Sequence, residues 1–347
     1  MDAIFSLGIP YREPGLEGWW GEKTVTLNFC EEVSASTTAQ FYYWKSMPLP
    51  GTDHPLQDYV MNHYVAEVCN TLTNALFIWL GYKGIRDCIK YSHPWIFFVA
   101  FMGYTVVGMG STFFHATLKS SSNQPTLDPM QLVDELAMIY TTCFMCYATF
   151  SYGRSRSISV MLGLALTGLS YYITERYYRT KDPQFHQDAY GILTAIVVFS
   201  NMYIIETQVR PALKAREEKR APNPAILPAD AIVKQMWAMV ITGLTIFLGG
   251  FLVWNLDNIY CQTITRWRRQ IGLPLAMLLE GHAWWHVMTG IAYYYISWRV
   301  WIHRCLDGDE DKFQLRWPSL WRMPEVVAIE EVQNSTTFQN GKATKKH

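Results

Sequence analysis

The sequence predicts an all-α membrane protein built as a bundle of seven transmembrane helices. Half of the residues are hydrophobic and only 17% are charged, whereas soluble domains carry about 25% charged residues. Seven apolar stretches approach the length of about 20 residues that a helix needs to cross a bilayer. Lysine plus arginine equals aspartate plus glutamate at 29 each, so no basic excess predicts a nucleic-acid partner.

The seven predicted spans differ in clarity. The first contains Glu67, Asn70 and Asn74, which makes its apolar character the weakest, and the fourth contains no charged residue. In chain order the predicted spans are Tyr64–Leu80, Trp95–Leu118, Gln131–Tyr152, Ile158–Thr174, Ala189–Ile205, Met236–Trp254 and Leu273–Trp298.

The distribution of basic residues predicts the orientation. Every lysine and arginine falls outside the predicted spans, with 19 on the side of the C-terminal tail and 10 on the side of the N-terminus. Because the cytosolic side carries the excess of basic residues, we expect a lumenal segment over residues 1–63 and a cytosolic, mostly disordered tail over residues 304–347. Cys30 and Cys261 both fall on the lumenal side, where a disulfide can persist.

Three histidines predict a metal site near the lumenal ends of the helices. His282 and His286 are four residues apart, so both imidazoles project from one face of one helix. His115 ends the second span at a matching depth and completes a three-histidine set, which is typical of catalytic zinc with a fourth position for water. The alternative is a structural polar network without a metal.

Two further residues near the histidines predict the rest of a hydrolytic site. Asp134 begins the third span on the same side and is suited to act as a general base toward water and then as a general acid toward a leaving amine. Ser111, one turn before His115, is suited to donate a hydrogen bond to the oxyanion. The rival interpretation makes Ser111 a nucleophile with His115 as its base.

The sequence resembles the alkaline ceramidases, in particular the fungal phytoceramidases and dihydroceramidases. The resemblance rests on the motifs Gly108–Lys119, Met130–Tyr140, Phe185–Gln187, Trp254–Cys261 and His282–His286. It implies a seven-helix ceramidase domain over residues 64–303 in the membrane of the endoplasmic reticulum or Golgi. It also implies hydrolysis of ceramide, embedded among membrane lipids, to a sphingoid base and a fatty acid.

The resemblance also assigns residues. It places zinc on the three histidines, catalytic roles on Ser111 and Asp134, and a disulfide between Cys30 and Cys261. It further implies a calcium site, since oxygen ligands suit Ca²⁺. The calcium positions in this chain are Asn28, Phe29, Glu31, Asp58 and Glu67. Asn28 stands where the family has an aspartate, which predicts a weakened calcium site.

Residues Val33–Gln57 interrupt the family pattern. Joining Glu32 directly to Asp58 restores that pattern, with Asp58 as the missing calcium ligand. The residues at both ends of the segment can be encoded by the boundary sequences of an intron. We therefore hypothesise that residues 33–57 are a translated intron, and the alternative is a genuine insertion in a lumenal loop.

A receptor is the nearest alternative function. Seven-helix lipid receptors or sensors of the adiponectin-receptor type resemble this chain in having a three-histidine zinc site, but generally have a cytosolic N-terminus. The lumenal N-terminus expected here, together with Asp134, favours the ceramidase. The sequence predicts neither the preferred ceramide species nor an oligomeric state.

Overall fold

The protein is helical over most of the residues that its structure describes. The structure is a computed structural model that describes residues 9, 18–20, 30, 61, 63–117, 129–180, 182–319 and 322–330. The helices in this part of the chain are α1 (Val68–Thr73), α2 (Ala75–Lys90), α3 (Trp95–Thr117), α4 (Pro129–Phe150), α5 (Arg156–Thr180), α6 (Pro183–Ile204), α7 (Arg210–Lys219), α8 (Ala229–Ile259), α9 (Cys261–Ile271), α10 (Gly281–Thr289) and α11 (Ala292–Asp307).

Four helical segments among the described residues are long and apolar enough to cross a membrane by length and composition. They are Trp95–Thr117, Arg156–Thr180, Pro183–Lys219 and Ala229–Ile259, and they coincide with the second, fourth, fifth and sixth predicted spans. Helix α5 exposes large apolar side chains such as Met161 and Leu164, as a lipid-facing helix does. The all-α membrane fold is therefore confirmed, while the number of seven spans and the orientation stay predictions.

The first and seventh predicted spans are interrupted in the structure. The first is divided between α1 and α2 at Asn74, whose side chain is turned back to the carbonyl oxygen of Asn70. The seventh comprises a 3-10 turn over Leu275–Leu279, then α10 and α11. Pro274 precedes that turn and has no backbone N–H to continue a helix. These interruptions fall where buried polar side chains gather.

The chain divides into two compact units. Unit 1 comprises Met1–Trp79, Thr105–Ala137 and Thr245–Gly290, and unit 2 comprises Leu80–Tyr104, Met138–Leu244 and Ile291–His347. All of the described residues of the predicted metal and catalytic sites belong to unit 1.

Unit 2 contains a β-hairpin within the tail that the sequence predicts as mostly disordered. Strand β1 (Phe313–Arg316) pairs antiparallel with β2 (Glu325–Ala328). Val326 and Val327 are buried, and the Glu325 carboxylate forms ion pairs with Lys83 of α2 and with Arg316. The expectation of disorder therefore differs from the structure over residues 313–316 and 325–328, because this strand pair is anchored by an ion pair to a helix far away in sequence.

Candidate metal centre

Three buried histidines form a cluster in unit 1. His115 lies at the end of α3, and His282 and His286 lie on α10. One ring nitrogen from each lies within 4.8 Å of the other two, and the side chains are only 1–7% exposed. The structure thus brings together the three histidines that the sequence selects, and we call them the histidine cluster.

Glu67 fixes the orientation of His115. Its Oε2 atom lies 2.5 Å from His115 Nδ1, and its backbone N–H donates to the His115 carbonyl oxygen at 3.0 Å. The buried side-chain amide of Asn70 donates to the same Oε2 at 3.1 Å. A carboxylate in this position is the outer partner that commonly orients a metal-binding histidine and raises its basicity.

The backbone of α1 orients His286. His286 Nδ1 lies 3.1 Å from the carbonyl oxygen of Asn70. A proton on Nδ1 of His115 and of His286, donated to these acceptors, leaves the ring lone pair on Nε2 in each case. Both imidazoles are therefore held in the tautomer that a metal ligand needs.

Asp257 of α8 holds the first turn of α10, which carries His282. Its buried carboxylate accepts the backbone N–H groups of Gly281 and His282, which are among the N–H groups that a helix start leaves without an intrahelical acceptor. The approach is close, since a Cβ at Gly281 would lie 2.5 Å from the Asp257 Cβ. The sequence analysis assigned no role to Asp257, although it lies in the motif Trp254–Cys261.

Ser111 and Asp134 meet beside the histidine cluster. Their side chains are hydrogen-bonded to each other, and the amide of Asn74 donates to Ser111 Oγ at 2.9 Å. Gly110 permits this approach, because a Cβ there would lie 2.9 Å from the Asp134 backbone nitrogen. Sequence reasoning missed Asn74 as a partner of Ser111, although a polar side chain within a predicted span was the available signal.

The histidine cluster fits a zinc ion. Nitrogens bound to one tetrahedral zinc at about 2.0–2.1 Å lie about 3.4 Å from one another. The ring nitrogens here lie within 4.8 Å of one another, so a bound ion would need to draw them slightly closer. Imidazole nitrogens are donors that suit zinc, and His115 and His286 have acceptors on Nδ1 that would orient them toward a metal. The three histidines could therefore hold one zinc ion.

Only one of the five predicted calcium positions can be located. Asn28, Phe29, Glu31 and Asp58 lie outside the described residues. The fifth, Glu67, is buried against His115. The structure therefore gives Glu67 a contact in the histidine cluster that the sequence analysis did not foresee.

A disulfide links two distant parts of unit 1. Cys30 and Cys261 form a disulfide with their Cα atoms 5.5 Å apart, as the resemblance implied. Cys30 is 1% exposed, and Cys261 begins α9. In sequence, the two cysteines lie on either side of α3, which carries His115.

An aromatic wall adjoins the cluster in unit 1. The Trp285 ring stacks on Trp254 at 5.5 Å between centroids and contacts Phe251 at 6.1 Å. Trp254 in turn lies 6.3 Å from the ring of His282. Large apolar rings beside a polar cluster are typical of a site that receives an amphipathic ligand.

Together, these features define a helical membrane protein whose buried three-histidine centre is flanked by a serine–aspartate pair. Comparison with known proteins then gives the family. A family model described as Ceramidase matches residues 53–327, and the chain belongs to this family.

Two relatives show the extent of the similarity. Alkaline ceramidase 3 of Mus musculus is 33% identical over 80% of this chain and 83% of its own length. Alkaline ceramidase YPC1 of Saccharomyces cerevisiae is 29% identical over 82% of this chain and 78% of its own length. The predicted family is therefore confirmed, and the protein is an amide hydrolase of the ceramidase type.

Proposed function

We propose that this protein hydrolyses the amide bond of ceramides in a zinc-dependent reaction and releases a sphingoid base and a fatty acid. Both relatives described above are alkaline ceramidases. Phytoceramide and dihydroceramide are the proposed substrates. A receptor of the adiponectin-receptor type is not favoured, because the relatives are hydrolases.

One observation carries the proposal. The three histidine nitrogens lie within 4.8 Å of one another, and the Ser111–Asp134 pair begins one helical turn before His115. Hydrolysis of an amide needs an activated water, a stabilised oxyanion and a protonated leaving amine. The described residues contain a group suited to each of these needs.

Each group has a separate role in the proposed reaction. Zinc held by the histidine cluster would supply Lewis acidity toward the amide carbonyl and lower the pKa of a water molecule. Asp134 accepts the proton of the attacking water and returns it to the amine that leaves. Ser111 accepts a hydrogen bond from the Asn74 amide, so its own hydroxyl proton is available to Asp134 in the resting site and to the oxyanion during the reaction.

The aromatic wall suits a lipid substrate. A ceramide carries two alkyl chains, and Phe251, Trp254 and Trp285 present apolar rings near His282. We propose that one chain packs on this wall while the amide reaches the histidine cluster. Burial of an alkyl chain contributes about 0.8 kcal/mol for each CH₂ group.

Release of free sphingoid base from ceramide tests the function. We expect purified protein in lipid nanodiscs to release it from phytoceramide and dihydroceramide, and the His282→Ala variant to release none and to contain less zinc. His186→Ala is the matched control, because His186 is equally buried but lies in unit 2 beside Tyr177. Hydrolysis that survives His282→Ala at full rate would remove zinc from the mechanism.

The topology in the membrane and the compartment are also proposals. We propose seven spans with a lumenal N-terminus in the endoplasmic reticulum or Golgi, which glycosylation acceptor sites introduced at each end of the chain would test. Modification only at the C-terminal end would contradict this orientation.

The calcium site and the translated intron also stay predictions. Equilibrium dialysis with ⁴⁵Ca²⁺ tests the first, using a variant that lacks residues 33–57 as the comparison. Sequencing of the mature transcript tests the second, and a message that contains codons 33–57 in most copies would contradict it.

A further inference from the structure

A buried arginine connects three parts of unit 1. Arg268 on α9 is 2% exposed, and its guanidinium forms an ion pair with the Glu280 carboxylate. It also donates to the backbone carbonyl of Cys30 and, at 3.0 Å, to Thr265 Oγ1. Since an unpaired buried charge is costly, this arrangement holds α9, the disulfide-linked N-terminal segment and Glu280 in one fixed geometry.

Glu280 transmits this geometry to the histidine cluster. It is the residue immediately before α10, and its backbone carbonyl accepts the N–H of Trp284 at 3.2 Å. Its side chain is therefore anchored to Arg268 while its backbone forms the first turn of the helix that carries His282. A movement of Glu280 changes the direction in which that turn presents the imidazole.

The first turn of α10 is thus held at two points. Arg268 holds Glu280 from α9, and Asp257 holds the N–H groups of Gly281 and His282 from α8. Asp257 and Glu280 are both at most 3% exposed, and both carboxylates lie in the electrostatic field of Arg268. The guanidinium therefore pairs with one of the carboxylates that fix the start of the helix and stabilises the other through its field.

We infer that Arg268, acting through Glu280, is a positioning residue that sets the placement of His282 for metal binding. The inference rests on the proposed zinc-dependent function. It also gives the disulfide a role beyond the stability of the fold, because the carbonyl of Cys30 is one of the acceptors that hold the guanidinium.

The test separates positioning from stability. Replacement of a buried ion pair by two apolar residues of similar volume is often neutral for stability. We therefore expect the double variant R268M/E280M to unfold near the wild-type temperature. We also expect it to bind zinc about 10-fold more weakly, because the loss of residues that orient a metal ligand weakens metal binding by at least this factor. Zinc affinity is measured by competition with a chelating dye, and the cobalt-substituted protein reports the ligand geometry through its visible absorption bands.

Two controls complete the experiment. R266M removes an exposed arginine on the same helix and is expected to leave zinc affinity and the cobalt bands unchanged. R268K keeps the charge but loses the planar fork, and we expect an intermediate zinc affinity. Because R268K preserves the ion pair, it also keeps the inference testable if the double variant fails to fold.

Each outcome has one meaning. If R268M/E280M, or R268K where the double variant does not fold, has wild-type zinc affinity and cobalt bands, the positioning role is wrong while the proposed function stands. If the wild-type protein itself binds no zinc, the proposed function fails first.

Discussion

Two buried polar clusters, one in each unit, differ in how their charges are matched. In unit 1 the histidine cluster directs three neutral ring nitrogens at one another, within 4.8 Å. In unit 2 the Glu310 carboxylate is 4% exposed and accepts from Arg216 at 2.9 Å and from Arg220 at 3.0 Å. We call the second group the arginine cluster. The first cluster brings together groups of one kind, and the second brings donors to an acceptor.

The difference shows how a binding site is distinguished from a structural network. In the arginine cluster, donors face acceptors, and Arg216 also donates to the Cys305 carbonyl. In the histidine cluster, Glu67 and the Asn70 carbonyl engage the Nδ1 atoms, so the opposite nitrogens converge on a point that suits a cation. Convergence of ring nitrogens suits a cation, as we propose above, whereas donors that face acceptors already satisfy one another.

The largest expected effect of a substitution that spares the metal ligands is at Asp134. Asp134→Asn keeps the size of the side chain and removes the proton acceptor. General acid–base catalysis contributes about 10²–10⁴-fold, so we expect kcat for ceramide to fall by that factor while the zinc content per protein is unchanged. A variant with wild-type kcat would show that another group accepts the proton of the water.

Ser111→Ala is expected to have a smaller effect and decides between two mechanisms. If Ser111 donates to the oxyanion, its removal costs about 10²–10³-fold in kcat, zinc stays bound, and no covalent intermediate forms in the wild type. If Ser111 is the nucleophile, an acyl-enzyme accumulates that hydroxylamine intercepts. Mass spectrometry of wild-type protein quenched during turnover therefore discriminates the two mechanisms, and an acylated Ser111 would contradict our assignment.

The sequence predicted the histidine cluster because the evidence for it lies within single helices. The spacing of His282 and His286 fixes their common helix face, and the depth of His115 follows from where its span ends. It could not predict the partners Glu67, Asn74 and Asp257, because each contacts a residue more than 20 positions away. Glu67 was assigned to calcium by resemblance, and only the fold places it against a histidine.

The fold was predictable to a similar extent. Hydropathy identified the four helical segments that, among the described residues, are long and apolar enough to cross a membrane, because lipid imposes a continuous apolar length. It could not show the break before α10, which depends on Pro274 and on the capping of α10 by Asp257. It also missed β1 and β2, whose four-residue strands are stabilised by the pairing of Lys83 with Glu325 across 242 positions of sequence.

Glu67→Gln sharpens the comparison by weakening the histidine cluster without removing a ligand. The amide retains the shape of the carboxylate but raises the basicity of His115 less, and loss of such an outer partner typically weakens metal binding about 10–100-fold. We expect this loss in zinc affinity, measured by chelator competition. Calcium binding is measured on the same samples. If calcium affinity falls while zinc affinity is unchanged, Glu67 acts as a calcium ligand and its contact with His115 has no role in zinc binding.

Glu310→Gln tests the arginine cluster and should have the smallest effect on function. Charge-assisted hydrogen bonds contribute about 1.5–3 kcal/mol, and the two arginines would lose the carboxylate that faces them, so we expect unfolding of unit 2 at a lower temperature. The Asp311→Asn variant is the matched control, because Asp311 is an exposed acid in the same turn and exposed ion pairs contribute at most about 1 kcal/mol.

Below the unfolding temperature, kcat and zinc content should equal those of the wild type, since the carboxylate and its arginines form a network that needs no ligand. Loss of zinc from folded Glu310→Gln protein would show that the two clusters are coupled and that their separation into a binding site and a structural network is wrong.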